Sequence, residues 1–149
     1  MNLYLQNLKE MLDLFTDAVY WLNRSYNICK DIGLKNSYTE QELDNLEALS
    51  SRFARVVDIM TSKIFRGIDK VEFEEKGTML DVINRAEKRG LIISTDKFRD
   101  IKGLRNDIVH EYVKGDIIEK FKEIFEATPE VLDIASKTKE YCRLLLNRR

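Results

Sequence analysis

What most constrains this chain is how little punctuation it carries. One proline and six glycines are spread over 149 residues. Between them, apolar side chains recur every three or four positions, the period of one helix face. From Leu3 to Ile32 the set Leu8, Met11, Phe15, Val19, Leu22, Tyr26 and Cys29 traces such a stripe, and Gly33 fits its stop. Thr39 and Glu42 then stand at capping-box spacing, hydroxyl and carboxylate each able to satisfy a free N–H. A second stripe follows through Leu43, Leu46, Leu49, Phe53, Val56, Met60, Ile64 and Ile68. At 1.5 Å per residue each helix is about 40 Å long, and antiparallel packing would bury both stripes.

The rest of the chain reads as shorter helices. A polar connection runs from Asp69 to Gly77, and Thr78 is placed to cap a helix through Arg89, with Gly90 as its stop. Leu91, Ile92 and Ile93 form an apolar link. Ser94, Thr95 or Asp96 can cap the next helix, whose inward positions are Phe98, Ile101, Leu104 and Ile108. Its expected end is near Tyr112 or Val113, before Gly115. Asp116 opens a further segment with Ile117, Phe121, Ile124 and Phe125. Pro129 is expected to break or restart it, and Val131, Leu132, Ala135, Tyr141 and Leu145 carry it onward. No stretch alternates like a strand, and there is no repeat, low-complexity tract or linker. The expected architecture is a single domain over 1–149, all-α, an up-and-down bundle with two long antiparallel helices and three or more shorter ones.

Composition narrows the class. At 44% hydrophobic and 34% charged residues the chain is too apolar for disorder, and at this length roughly 70% of the unfolded surface can be buried. A formal charge of -1 does not announce a nucleic-acid binder. The charge is uneven, however: 85–105 holds seven basic residues against three acidic, and 1–62 six against nine. The basic run can attract phosphate, although a solvated helix face explains most of it. Cys29 and Cys142 lack CxxC spacing and sit among apolar residues, so they read as reduced core thiols of a cytosolic protein. No secretion signal is expected, and no window approaches the length of a membrane span.

Chemistry concentrates in LRNDIVHEY, Leu104 to Tyr112, which holds the only histidine, His110. On a helix Asn106 and His110 share a face. Arg105, Val109 and Tyr112 form the neighbouring stripe. Arg105 lies about 140° around the axis from His110, though its long side chain can reach a ligand beside the imidazole. Asp107 stands three residues before His110 and can hydrogen-bond to it. The helix end favours a protonated ring. Such groups suit phosphodiester cleavage: an imidazole moves the proton, a guanidinium holds the phosphate, and no metal is required. One histidine leaves either the acid or the base unsupplied, a gap that a symmetric dimer would fill. A surface reading is also open. His110 can be a favourable charge at a helix end, Arg105 can pair with a surface carboxylate, and Tyr112 can be a rim aromatic.

The run Arg105-Asn-Asp-Ile-Val-His110-Glu-Tyr112 resembles the RxxxxHxY motif of HEPN domains, small all-α proteins of toxin–antitoxin and defence systems. It is most similar to the HepT-type branch, paired with a minimal nucleotidyltransferase (MNT) antitoxin. ALSSRFARVVDIMTSKIFR, Ala48 to Arg66, resembles that family's second long helix, and LDVINRAEKRGLI, Leu80 to Ile92, the segment before its motif helix. The resemblance implies a homodimer with motif helices facing across a cleft. It implies a metal-independent endoribonuclease acting on RNA without a cofactor, with Arg105 and His110 catalytic, Asn106 catalytic in a supporting role, and Asp107 assisting. It also implies an MNT antitoxin that transfers AMP from ATP to Tyr112. The alternatives are a non-catalytic substrate-binding subunit of a nucleotidyltransferase complex and a helical interaction module with a vestigial motif. Arg52, Arg55 and Lys102 can extend a phosphate track or simply be solvated or ion-paired. Tyr20, Trp21 and Phe53 read as core or interface.

Overall fold

The computed structural model describes residues 2–74, 76–110 and 117–148. Every regular element among them is helical. Helix α1 spans Leu3–Ile32 and α2 Glu40–Ile59; a π-helical turn, Met60–Phe65, joins α2 directly to α3, Arg66–Val71. Then come α4 (Met79–Lys88), α5 (Thr95–Val109) and α6 (Ile117–Arg148). No helix among the described residues is long and apolar enough to cross a membrane.

The caps sit where the sequence places them. Thr39 and Glu42 form a reciprocal capping box at α2, and Thr78 does the same with Asp81 at α4. Ser94 caps α5 by accepting from the Lys97 amide. Gly33 and Gly90 follow their helices at φ 79° and 78°, a region that L side chains rarely enter.

Side-chain contacts fix the directions. Late α1 meets early α2, where the Cys29 thiol lies 3.5 Å from the Asn45 carbonyl. Arg52 donates to the Ser25 hydroxyl at 2.6 Å. At the other end Leu8 lies against Gly67, whose added Cβ would stand 3.1 Å from Leu8 Cδ1. These contacts make α1 antiparallel to the rod formed by α2, the π turn and α3. Tyr26 stacks on Phe125 with ring centroids 5.0 Å apart, and Tyr141 donates to Glu72 at 2.7 Å. Helix α6 therefore runs antiparallel to α1 and beside the α2 rod. Phe15, Phe53, Phe65, Phe98 and Phe121 fill the shared core.

Two expectations about helix ends are corrected. Pro129 neither breaks nor restarts α6, which is one helix of 32 residues with the proline inside it. Buried Val131, Ile134, Ala135 and Cys142 continue the apolar stripe beyond it, and that burial outweighs the lost ladder bond. Helix α5 ends at Val109, with His110 as its cap at φ −90°, ψ 12°. The inward stripe runs out at Ile108, and the helix gives out one residue later. The expected ends at Tyr112 and Val113, and the opening at Asp116, lie outside the described residues.

The stretch expected as a polar connection from Asp69 starts inside α3, which runs on through Val71, and it holds a feature that no sequence pattern marked. Asp69 is buried to 1% exposure and receives Arg89 Nη1 at 2.6 Å on Oδ1. Arg89 Nε also holds Glu72 at 2.7 Å. Arg85 comes within 3.1 Å of Asp69 Oδ2. That approach is an ion pair without a hydrogen bond, and the same Arg85 nitrogen donates to the Lys76 carbonyl at 2.8 Å. Burial works against the Arg89 charge, but its two carboxylate partners outweigh it and raise its pKa. This network pins α4 to α3 and, through Tyr141, to α6.

Candidate functional site

The C-terminal half of α5 presents the candidate residues. Phe98 and Ile101 are buried and anchor its first two turns; Leu104 and Ile108 are half-buried against the core. That leaves Arg105 half-buried, and Asn106 and His110 exposed, on the outward side. The His110 amide still donates to the Asn106 carbonyl at 3.0 Å, so the ring sits at the last hydrogen-bonded position of the helix. Tyr112 lies outside the described residues.

Arg105 is held by a partner 47 residues away. Its Nε and Nη2 reach Asp58 Oδ1 and Oδ2 at 2.5 and 3.1 Å, and its Nη1 donates to Asn106 Oδ1 at 3.0 Å. The Asp58 hydrogen bond raises the guanidinium's pKa against a smaller burial effect. A guanidinium has five N–H donors; among the described residues three of them are engaged. The pairing with a carboxylate is the feature that the surface reading anticipated, although no spacing singled out Asp58. Asp107 does not join His110. Lys120 of α6 takes its carboxylate at 2.8 Å and binds Glu123 at 3.1 Å. The Asp107 bond, with Glu123 second, raises the Lys120 pKa, so Asp107 ties α5 to α6.

Asp58 lies in the last turn of α2, two residues before the π turn begins. There the hydroxyls of Thr61 and Ser62 both donate to the Asp58 carbonyl, at 3.3 and 2.6 Å, and Thr61 also donates to the Val57 carbonyl at 2.9 Å. They satisfy carbonyls where the ladder changes from i→i+4 to i→i+5. Turns of this kind recur at functional sites. Beside it lies a groove of about 410 Å³, lined by Asp58, Thr61, Ser62, Lys102, Arg105 and Asn106. A second groove, of about 330 Å³, opens on the other side of Lys102 and Asn106, between α4 and α5.

The remaining basic and aromatic candidates separate. Arg52 is tied to Ser25 and lies 5.0 Å over the Trp21 ring, bracing α1 against α2 instead of lining either groove. Arg55 is exposed. Phe53 is core, whereas Tyr20 and Trp21 are exposed and pack edge to face with centroids 5.2 Å apart. No family model, curated protein or solved structure matches the chain.

Proposed function

We propose that this chain is a HEPN-type endoribonuclease that works as a homodimer and is neutralised by a nucleotidyltransferase partner. The observation that carries the reading is the arrangement at the end of α5. Arg105, oriented by Asp58 and Asn106, lies five residues before an exposed His110, and Asn106 lies one helical turn before it. In the proposed reaction an imidazole takes the proton from a ribose 2′-hydroxyl, whose oxygen attacks the adjacent phosphorus. The P–O5′ bond breaks, leaving a 2′,3′-cyclic phosphate, and the His110 of a second copy returns a proton to the departing 5′ oxygen. The nucleophile comes from the substrate, so the step needs no metal ion. Arg105 neutralises the charge that grows on the non-bridging oxygens, and Asn106 holds the guanidinium's orientation. In regulation, the Tyr112 hydroxyl would attack the α-phosphorus of ATP on the partner, releasing pyrophosphate. The resulting phosphodiester adds charge and bulk near the phosphate site.

The Arg105–Asp58 pair also favours a second reading, a non-catalytic subunit of a nucleotidyltransferase complex, because a neutralised guanidinium attracts phosphate less. Cleavage decides between the two. His110→Ala and Arg105→Ala should each abolish RNA cleavage and growth inhibition while circular dichroism and sedimentation show the same folded species as wild type. A His110→Ala protein that cleaves as well as wild type refutes the mechanism. A wild-type protein that cleaves no RNA, alone or with its partner removed, leaves the second reading standing.

A further inference from the structure

The groove between α4 and α5 is apolar below and cationic at the rim. Met79, Ile83 and Phe98 line it, the last two almost fully buried, and Leu80 forms an exposed wall at 55% exposure. Arg99 and Lys102 stand on the α5 side. Arg99 makes a loose contact to Asp96 at 3.8 Å, with both side chains in solvent. Lys102 and Asn106 line this groove and the Arg105 groove alike, so the two depressions are neighbours across one ridge.

Gly103 lines the α4–α5 groove from inside α5, where glycine is a poor helix former. A Cβ added there would meet no atom within 4 Å. Neither packing nor backbone geometry calls for glycine at 103, and its effect is to leave the groove open.

We propose that this groove is a base-binding subsite for single-stranded RNA, holding an unpaired base next to the phosphate at Arg105, with Lys102 and Arg99 on the strand's backbone. The inference rests on the ribonuclease reading above and extends it to the substrate's form. Sites for single strands combine an apolar surface for the base with a cationic track for the phosphates. This groove places Lys102 one turn and Arg99 two turns before Asn106, whose amide can meet a base edge. Its volume lies at the lower end of the range for small-ligand sites. Charges of one sign around an apolar floor fit a polyanion with flat apolar bases better than an apolar peptide.

The test uses the full chain carrying His110→Ala, so that RNA is bound and not cut. Fluorescence anisotropy is read with a short single-stranded RNA and with an abasic phosphodiester of equal length. Gly103→Ala, Gly103→Leu and Gly103→Trp should weaken RNA binding in order of side-chain size. The tryptophan should raise the Kd about 10-fold or more for the RNA and under about 2-fold for the abasic strand. Leu80→Asp, at an exposed position, should act in the same direction without touching the core. Unchanged RNA affinity in Gly103→Trp and Leu80→Asp overturns the subsite, while cleavage by the His110-bearing chain keeps the ribonuclease reading intact. Equal weakening on both strands also overturns it, by reducing the groove to a phosphate track. So does dissociation of the dimer by Gly103→Trp, which would make the groove a contact between copies. Failure of the wild type to bind or cut any RNA removes the ribonuclease reading and the subsite together.

Discussion

Asp69→Ala would remove the acceptor at the centre of the buried network. The side chain is 2% exposed, and its two guanidinium partners, on Arg85 and Arg89, are 19% and 10% exposed. Removing one member of such a set leaves charge without a partner in a region shielded from water, a loss of roughly 3–5 kcal/mol. Arg89 keeps Glu72, which places the expected loss at the lower end, about 3 kcal/mol. For a chain of this size that corresponds to a fall in Tm of roughly 6–12 °C. Thermal and urea unfolding followed at 222 nm should both report it. Arg89→Ala and the double variant complete a cycle, in which the coupling should be at least about 2 kcal/mol. A coupling below about 0.5 kcal/mol, the range of exposed pairs, would refute the claim that this network joins α3 to α4.

Pro129 sits on the exposed side of α6 and denies the Phe125 carbonyl its ladder donor, so Pro129→Ala should stabilise the chain by up to about 3 kcal/mol; a lower Tm would contradict this. Burial pushes the thiols of Cys29 and Cys142 up from 9.0 to about 11 and about 12. Since these folded-state values are raised, their contribution to stability is complete below pH 9.0 and is lost as pH rises toward 11 and 12. Native protein should accordingly resist a thiol reagent at pH 8 and release both thiols on unfolding, whereas rapid labelling of the native chain would count against it. Asp58→Ala should lower RNA cleavage about 10-fold or more by freeing Arg105 to turn. Because the pair is part-exposed, stability should change by less than about 1 kcal/mol. Unchanged cleavage would show that Asp58 does not position the guanidinium.

The sequence carried the elements further than it carried the contacts between them. Caps at Thr39, Thr78 and Ser94 and stops at Gly33 and Gly90 are local chemistry, readable within four residues. The stripes of α1 and α2 likewise declare which faces are buried. Asp58 and Asp69 escaped notice because what matters about them is a partner 47 residues away in one case and 20 in the other, and spacing along one helix holds no such information. Pro129 misled for a related reason, since a local rule lost to tertiary burial. The π turn left no trace of its own, because Phe53, Val57, Met60, Ile64 and Ile68 stay within about 80° of one another on an ordinary α-helix, inside a normal core stripe. Within the motif, spacing set Asn106 with His110 and Arg105 on the neighbouring stripe; neither the bond from Arg105 to Asn106 nor the diversion of Asp107 to Lys120 was legible.

The π turn also sets a phase relation. One extra residue held in the helix turns everything after it by about 100° relative to everything before it. Asp58 lies on one side of that offset and Asp69 on the other. Asp58 reaches Arg105 of α5 and Asp69 reaches Arg89 beyond α4, while Met60, Ile64 and Ile68 stay in the core between them. The two acidic side chains are thus indexed to each other by a single residue of length, and deleting any residue from 60–65 would correct the helix and misalign one of them.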